Sequence, residues 1–199
     1  MARTVAHIAV VVGLFCQAAF AFADDEPVDV IGHLHQALVD AATAEPALDF
    51  AARYERLAPV IVDTHDLATM GRVTVRRFWP KMTETERTRF SDAFERLSIA
   101  SYASRFASVG PETFGIIGTE PIGSGRVRVN AVIHRRDADD VPMEYQLDAK
   151  TGRWRIVNVV ADGVSELSLM ASGYAATLEA EGFEGLLADI AAETATLEQ

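Results

Sequence analysis

The sequence is poor in cysteine and in positive charge. A single cysteine, Cys16, stands among 199 residues, so the chain can form no internal disulfide. Lysine and arginine together number 18 against 29 acidic residues, which gives a formal net charge of −11 at pH 7. Such a surface repels anionic lipid headgroups and opposes nucleic-acid binding, which requires basic contacts to phosphate. These shortages exclude a disulfide scaffold and indicate that the protein does not bind nucleic acid.

Motifs of nucleotide binding and hydrolysis are also missing. The sequence has no Gly-rich phosphate loop, no nucleophile elbow and no H-E-x-x-H motif. His33 and His35 stand two apart on a predicted helix, so they point to different sides and cannot share a metal. Asp63, His65 and Asp66 combine carboxylates with an imidazole, but they fall in a predicted helix-capping turn. We therefore predict no catalytic residue, no metal and no cofactor.

The first 23 residues have the layout of a secretory signal peptide. Arg3 gives a positive start, an apolar run from Ile8 to Phe15 follows, and Ala21-Phe22-Ala23 is typical of a cleavage site. The run is too short to span a bilayer, which takes about 20 apolar residues. No later segment is long and apolar enough to do so. We predict a signal peptide over residues 1–23, export to the periplasm, and a single domain over residues 24–199.

Helices are predicted in the first half of the mature chain, where apolar residues recur at steps of three and four. Pro27 suits the first position of a helix. Thr83 and Glu86 fit a capping box, and a long helix follows to about residue 107. Along this helix the apolar side changes from that of Phe90 to that of Tyr102. Two explanations are open: the helix crosses a solid core, or its far end lines a cavity.

The second half has the alternating pattern of strands. The pattern predicts four strands, which begin at Phe114, span Arg126–Arg136, surround Tyr145 and span Trp154–Val160. Their connections are too short for parallel pairing, which needs a crossover of a dozen or more residues. Helix returns after Gly163. We therefore predict an α+β domain in which helices from both ends of the chain cover one four-stranded antiparallel sheet.

Arginines share one face of the second predicted strand. Arg126, Arg128 and Arg136 are our candidates for docking an acidic partner protein. The alternative is pairing with Glu144 and Asp148, which alternate along the next strand. Both interpretations are open from the sequence.

Two stretches of the chain, residues 78–106 and residues 154–167, resemble a known family. Phe78-Trp79, TETERTRFSDAF (83–94), SYASRF (101–106) and WRIVNVVADGVSEL (154–167) are similar to the toluene-tolerance auxiliary family of MlaC-like periplasmic lipid-binding proteins. The resemblance runs from about residue 30 to 192 in the family's order. The sequences of residues 98–114 and 162–169 are most similar to the hopanoid-associated HpnM branch of this family. Residues 170–174 lack the arginine that typical MlaC-like chains carry there, so no arginine role is carried over to this segment.

The resemblance implies a periplasmic lipid carrier that is not an enzyme. It implies a helical body packed on one twisted sheet, with an apolar pocket between them for the lipid. It also implies that a phospholipid or a hopanoid-type lipid is shuttled between the inner and outer membranes. An inner-membrane lipid transporter and an outer-membrane lipoprotein complex would be the partners. Two alternatives stay open: a periplasmic adaptor without a ligand, and an enzyme of a cone-shaped α+β fold.

A lipid pocket needs an apolar lining with few polar groups. Candidates are the apolar residues at the far end of the long helix, along the apolar sheet face and in the helix after Gly163. For any single one of these residues, a place in a plain core is the favoured interpretation. These candidate lipid-binding residues are Tyr102, Phe106, Val127, Val129, Ile133, Met143, Tyr145, Leu147, Met170 and Tyr174.

Overall fold

The computed structural model describes residues 26–107, 113–135 and 138–199. Within these ranges six α-helices and one five-stranded sheet confirm the predicted α+β class. The predicted signal peptide and Arg136 lie outside the described residues. The helices are α1 (Pro27–Ala42), α2 (Phe50–Thr64), α3 (Leu67–Thr74), α4 (Glu84–Arg105), α5 (Glu166–Ala180) and α6 (Gly182–Leu197). The strands are β1 (Thr113–Gly123), β2 (Arg126–His134), β3 (Val141–Asp148), β4 (Arg155–Ala161) and β5 (Val164–Ser165).

Local caps set the helix starts that the sequence predicts. α1 begins at Pro27. At the start of α4, the Glu86 N–H donates to the Thr83 hydroxyl at 3.2 Å. In return, the Glu86 carboxylate accepts from the Thr83 N–H at 2.7 Å, which completes the capping box. None of the helices in the described part of the chain is long and apolar enough to cross a bilayer.

The sheet is an antiparallel meander in the order β1-β2-β3-β4-β5. The prediction of four strands is wrong because the chain turns back once more before α5. Asp162 and Gly163 have φ angles of 49° and 77°. Two successive residues in the left-handed region make the type I′ turn of a tight hairpin, for which Asp-Gly is a favoured pair. This turn pairs the two residues of β5 with the end of β4.

One face of the sheet packs on the helices, and we call it the inner face. Val129, Ala131, Tyr145 and Leu147 are buried there at 2% exposure or less. Arg128, one position from Val129, lies on the opposite, outer face, as strand alternation requires. The inner face and the apolar sides of the helices therefore form one core.

α4 passes from the helical part of this core to the inner face of the sheet. In its first half, Phe90 is fully buried, with its ring centroid 6.3 Å from Trp79 and 6.2 Å from Tyr174. In its second half, the Tyr102 and Phe106 rings stack with centroids 6.0 Å apart. The apolar side changes along α4 because its first half packs on other helices, whereas its second half faces the sheet.

Candidate functional site

A cavity of about 210 Å³ lies between the second half of α4 and the inner face of the sheet. β2, β3 and β4, the junction between α2 and α3, and the first turn of α5 complete its walls. The cavity is larger than an engineered void of about 150 Å³ that holds benzene. It is smaller than typical small-molecule sites, which span about 300–1,000 Å³. At this volume the cavity has room for part of an apolar chain or ring system, and a larger ligand would require its walls to move apart.

Six of the ten candidate lining residues bound this cavity. Of the other four, Val129 and Leu147 are fully buried in the core and Val127 is half-buried. Tyr174 packs against Phe90 instead. Val127 pairs with Leu147 at one end of the sheet, whereas the cavity lies toward the other end, where Ile133 pairs with Val141. The six lining residues are Tyr102, Phe106, Ile133, Met143, Tyr145 and Met170.

The polar residues of the cavity wall were not among the residues predicted from the sequence. Ser98, Ser101 and Arg105 line the cavity from the same side of α4 as Tyr102. They stand three or four residues from one another or from Tyr102, and this helical spacing could have revealed them. Arg105 forms an ion pair with Glu166 of α5, and both side chains are partly exposed. This pair is the charged part of the cavity wall.

His65 supplies a buried polar group to the same cavity. Its Nε2 lies 2.9 Å from the Tyr102 hydroxyl, and its Nδ1 lies 3.2 Å from the carbonyl oxygen of Ile61. The Nδ1 also lies 2.9 Å from the hydroxyl of Thr64, which donates its proton to the Val60 carbonyl. A carbonyl only accepts, so Nδ1 carries the proton and Nε2 accepts from the Tyr102 hydroxyl. Burial lowers the pKa of His65 to about 4 and raises the pKa of Tyr102 well above its ordinary value. Both groups are therefore neutral near pH 7 and act as hydrogen-bonding partners.

A second histidine–tyrosine pair joins α1 to the cavity wall formed by β3. His35 of α1 is buried, and its Nε2 lies 3.1 Å from the hydroxyl of Tyr145. The His35 ring also stacks on Phe114, with centroids 4.2 Å apart. Burial lowers the pKa of His35 to about 4 and raises that of Tyr145. Each of these two lining tyrosines is therefore held by a neutral buried histidine.

The carboxylate–imidazole cluster does not assemble into an acid–base site. Asp66 caps α3 by accepting from the Thr69 N–H at 2.9 Å. Asp63 forms an ion pair with Arg153, away from His65. Across the described residues, no group of three or more histidine, cysteine or acidic side chains is arranged to hold a metal ion.

The arginine candidates have separate environments. The Arg128 guanidinium forms ion pairs with the carboxylates of Glu120 and Glu144, each with an N···O distance of 3.1 Å. Arg128 is therefore paired within the sheet, as the alternative interpretation of the arginine face expects. Arg126 is exposed at the start of β2, opposite Asp148 in the strand register. A role for Arg126 in docking stays a prediction.

Tyr102→Phe is expected to lower the free energy of unfolding by about 1–3 kcal/mol. The substitution leaves the buried Nε2 of His65 without its donor, and an unsatisfied buried polar group costs free energy of this size. Tyr174→Phe is the matched control. The buried Tyr174 hydroxyl has no hydrogen-bond partner among the described residues, so its removal should be neutral or slightly stabilising. Urea unfolding at pH 7 measures both, and equal losses would contradict the role of the His65 bond.

Comparison with known proteins places this architecture in a family. The family model described as MlaC protein matches residues 33–192. A solved structure with the same fold is the phospholipid-binding protein from Ralstonia solanacearum in complex with a phospholipid. The two chains share 16% sequence identity with a TM-score of 0.75, and the match covers 88% of this chain and 99% of the other. Because the family model matches most of the sequence, the chain belongs to the MlaC protein family.

Proposed function

We propose that this protein is a periplasmic lipid carrier that binds the apolar part of a lipid in the cavity between α4 and the sheet. The cavity is the single observation that carries the proposal. Protein interiors are close-packed, so an unfilled space of this size is not expected in the core of a ligand-free adaptor. Membership of the MlaC family and the phospholipid bound by the Ralstonia protein support it. Of the candidate lining residues, the six at the cavity wall would contact the lipid.

The physical chemistry of the cavity suits reversible carriage. Each methylene removed from water contributes about 0.8 kcal/mol, so a lipid tail does not cross an aqueous space unaided. A tail that leaves a membrane for an apolar cavity exchanges one apolar surrounding for another, and net affinity stays modest. The neutral state of His65 and Tyr102 near pH 7 keeps buried charge away from the tail. The lipid can therefore be taken up and also released.

We also propose a cargo, a route and partners for this protein. A phospholipid or a hopanoid-type lipid is the proposed cargo, the latter from the resemblance to the HpnM branch. Export by a cleaved signal peptide over residues 1–23 would bring the protein to the periplasm. There it would shuttle lipid between the two membranes, with an inner-membrane lipid transporter and an outer-membrane lipoprotein complex as partners. No catalytic step belongs to this function.

A vesicle transfer assay tests the proposal. Donor vesicles carry a self-quenched fluorescent phospholipid, and unlabelled acceptor vesicles dilute it on arrival. We expect the protein to raise the rate of fluorescent phospholipid transfer above the spontaneous rate. Unlabelled phospholipid or hopanoid in the donor vesicles should slow this transfer, and the lipid that the protein prefers should slow it more. A folded protein that leaves the spontaneous rate unchanged would contradict the carrier function.

A further inference from the structure

A second concave surface lies on the outer face of the sheet, beside α3 and α5. This surface, which we call the basic groove, has a volume of about 310 Å³. Its cations are Arg76 after α3, Arg126 at the start of β2 and Lys150 in the loop before β4. The three come from separate parts of the chain, so the fold alone brings them together.

The basic groove is an exception to the charge of the molecule. The chain carries a formal charge of −11, yet the lining of the groove has three cations and one carboxylate, Asp148. Asp148 is only 3% exposed, and its Oδ2 lies 3.1 Å from the Nζ of Lys150. Within the described residues, no carboxylate lies within 4.0 Å of a side-chain nitrogen of Arg76 or Arg126. The groove therefore presents uncompensated positive charge to solvent.

The remaining walls of the groove offer apolar and hydrogen-bonding surface. Val73 is 45% exposed there, although it is a large aliphatic side chain. Gln146, Asn158 and Ser168 supply neutral donors and acceptors along the same surface. Cations beside an exposed aliphatic side chain and amides match a peptide with acidic and apolar side chains and a backbone to hydrogen-bond.

We propose that the basic groove docks an acidic segment of a partner protein. A second copy of this chain is a poor occupant because both copies carry a charge of −11 and repel each other. The same net charge repels an anionic membrane, and a concave groove does not fit a flat bilayer. The occupant is therefore a short acidic and partly apolar segment of another protein.

The first turn of α5 separates the basic groove from the cavity. Leu167 lines both spaces, while Glu166 faces the cavity and Ser168 faces the groove. A partner in the groove thus contacts the helix that closes one side of the cavity. The inference rests on the proposed function only for the cargo that such a partner would receive, and docking itself does not require a lipid.

Fluorescence anisotropy of a labelled peptide of alternating Glu and Leu tests the inference, with a Gln-Leu peptide as the uncharged probe. Arg76→Glu combined with Arg126→Glu reverses the groove. Arg56→Glu combined with Arg72→Glu is the matched control, because both arginines are exposed, lie outside the groove and change the net charge equally. A double Arg→Gln variant of the groove removes its charge without reversing it, should the reversal disturb folding.

We expect the acidic peptide to bind the parent and the control double variant. Reversal of the groove should weaken binding at least about tenfold, and added salt should weaken binding to the parent. Melting temperature and lipid content should not change. The inference is overturned if neither peptide binds, if both double variants lose affinity equally, if inorganic phosphate competes at equal concentration, or if anionic vesicles bind through the groove instead. Peptide binding by a protein that transfers no lipid would overturn the proposed function and leave this inference standing.

Discussion

Ala161→Trp is expected to empty the protein of lipid without unfolding it. Ala161 is a small residue of β4 at the cavity wall, and its register partner Met143 also faces the cavity. An indole at this position would project into the space of about 210 Å³ where we place the lipid. Overpacking costs arise when added atoms meet a filled core, and here they meet a void. The lipid-to-protein ratio should fall to near zero while the urea midpoint changes little.

Ala131→Trp is the matched control for this result. Ala131 lies on the same inner face, on the opposite side of Met143, but it is 1% exposed and does not line the cavity. The same substitution there should lower the free energy of unfolding by about 1–3 kcal/mol or more. If both variants unfold equally, or if Ala161→Trp keeps its lipid, the cavity is not the lipid site.

Acid is expected to destabilise the protein through two buried histidines. Burial lowers the pKa of both His35 and His65 from 6.5 to about 4. Between these two pH values the unfolded chain binds protons that the folded chain excludes, so stability falls as the pH falls. The contribution is complete above about pH 6.5 and is lost progressively toward about pH 4. At pH 5 each histidine should remove about 2 kcal/mol from the free energy of unfolding.

A difference measurement isolates the two histidines from the carboxylates, which also titrate in acid. The free energy of unfolding is measured at pH 7 and at pH 5 for the parent and for the double variant His35→Gln, His65→Gln. The loss on acidification should be about 4 kcal/mol smaller in the variant. His33→Gln is the control, since His33 is exposed two residues from His35. A variant that loses as much as the parent would show that neither histidine is held neutral by burial.

Local patterns in the sequence were sufficient for the elements that depend on them. The capping box at Thr83 and the helix start at Pro27 involve neighbours a few residues apart, so they could be predicted. The Asp162-Gly163 pair also carried a hairpin signal. Its second strand has only two residues, which is too short for an alternating pattern, and β5 was missed.

The parts of the site that depend on distant contacts could not be predicted. Alternation assigns Val127 and Met143 to the same inner face, but it does not say which end of the sheet borders a void. The bond between His65 and Tyr102 joins residues 37 positions apart, and nothing in the local sequence marks it. The same holds for the basic groove, in which only Arg126 was a candidate. Arg76 and Lys150 join it through the packing of α3 and the turn before β4.

Native mass spectrometry of the protein, purified without detergent from the cells that express it, tests the carrier function most directly. The parent should show a mass above that of the bare polypeptide, and mild collisional activation should release the difference as one intact lipid. Ala161→Trp, prepared in parallel, should show the bare mass alone. A parent protein that carries no lipid and has the bare mass from the start would contradict the account and favour a ligand-free adaptor.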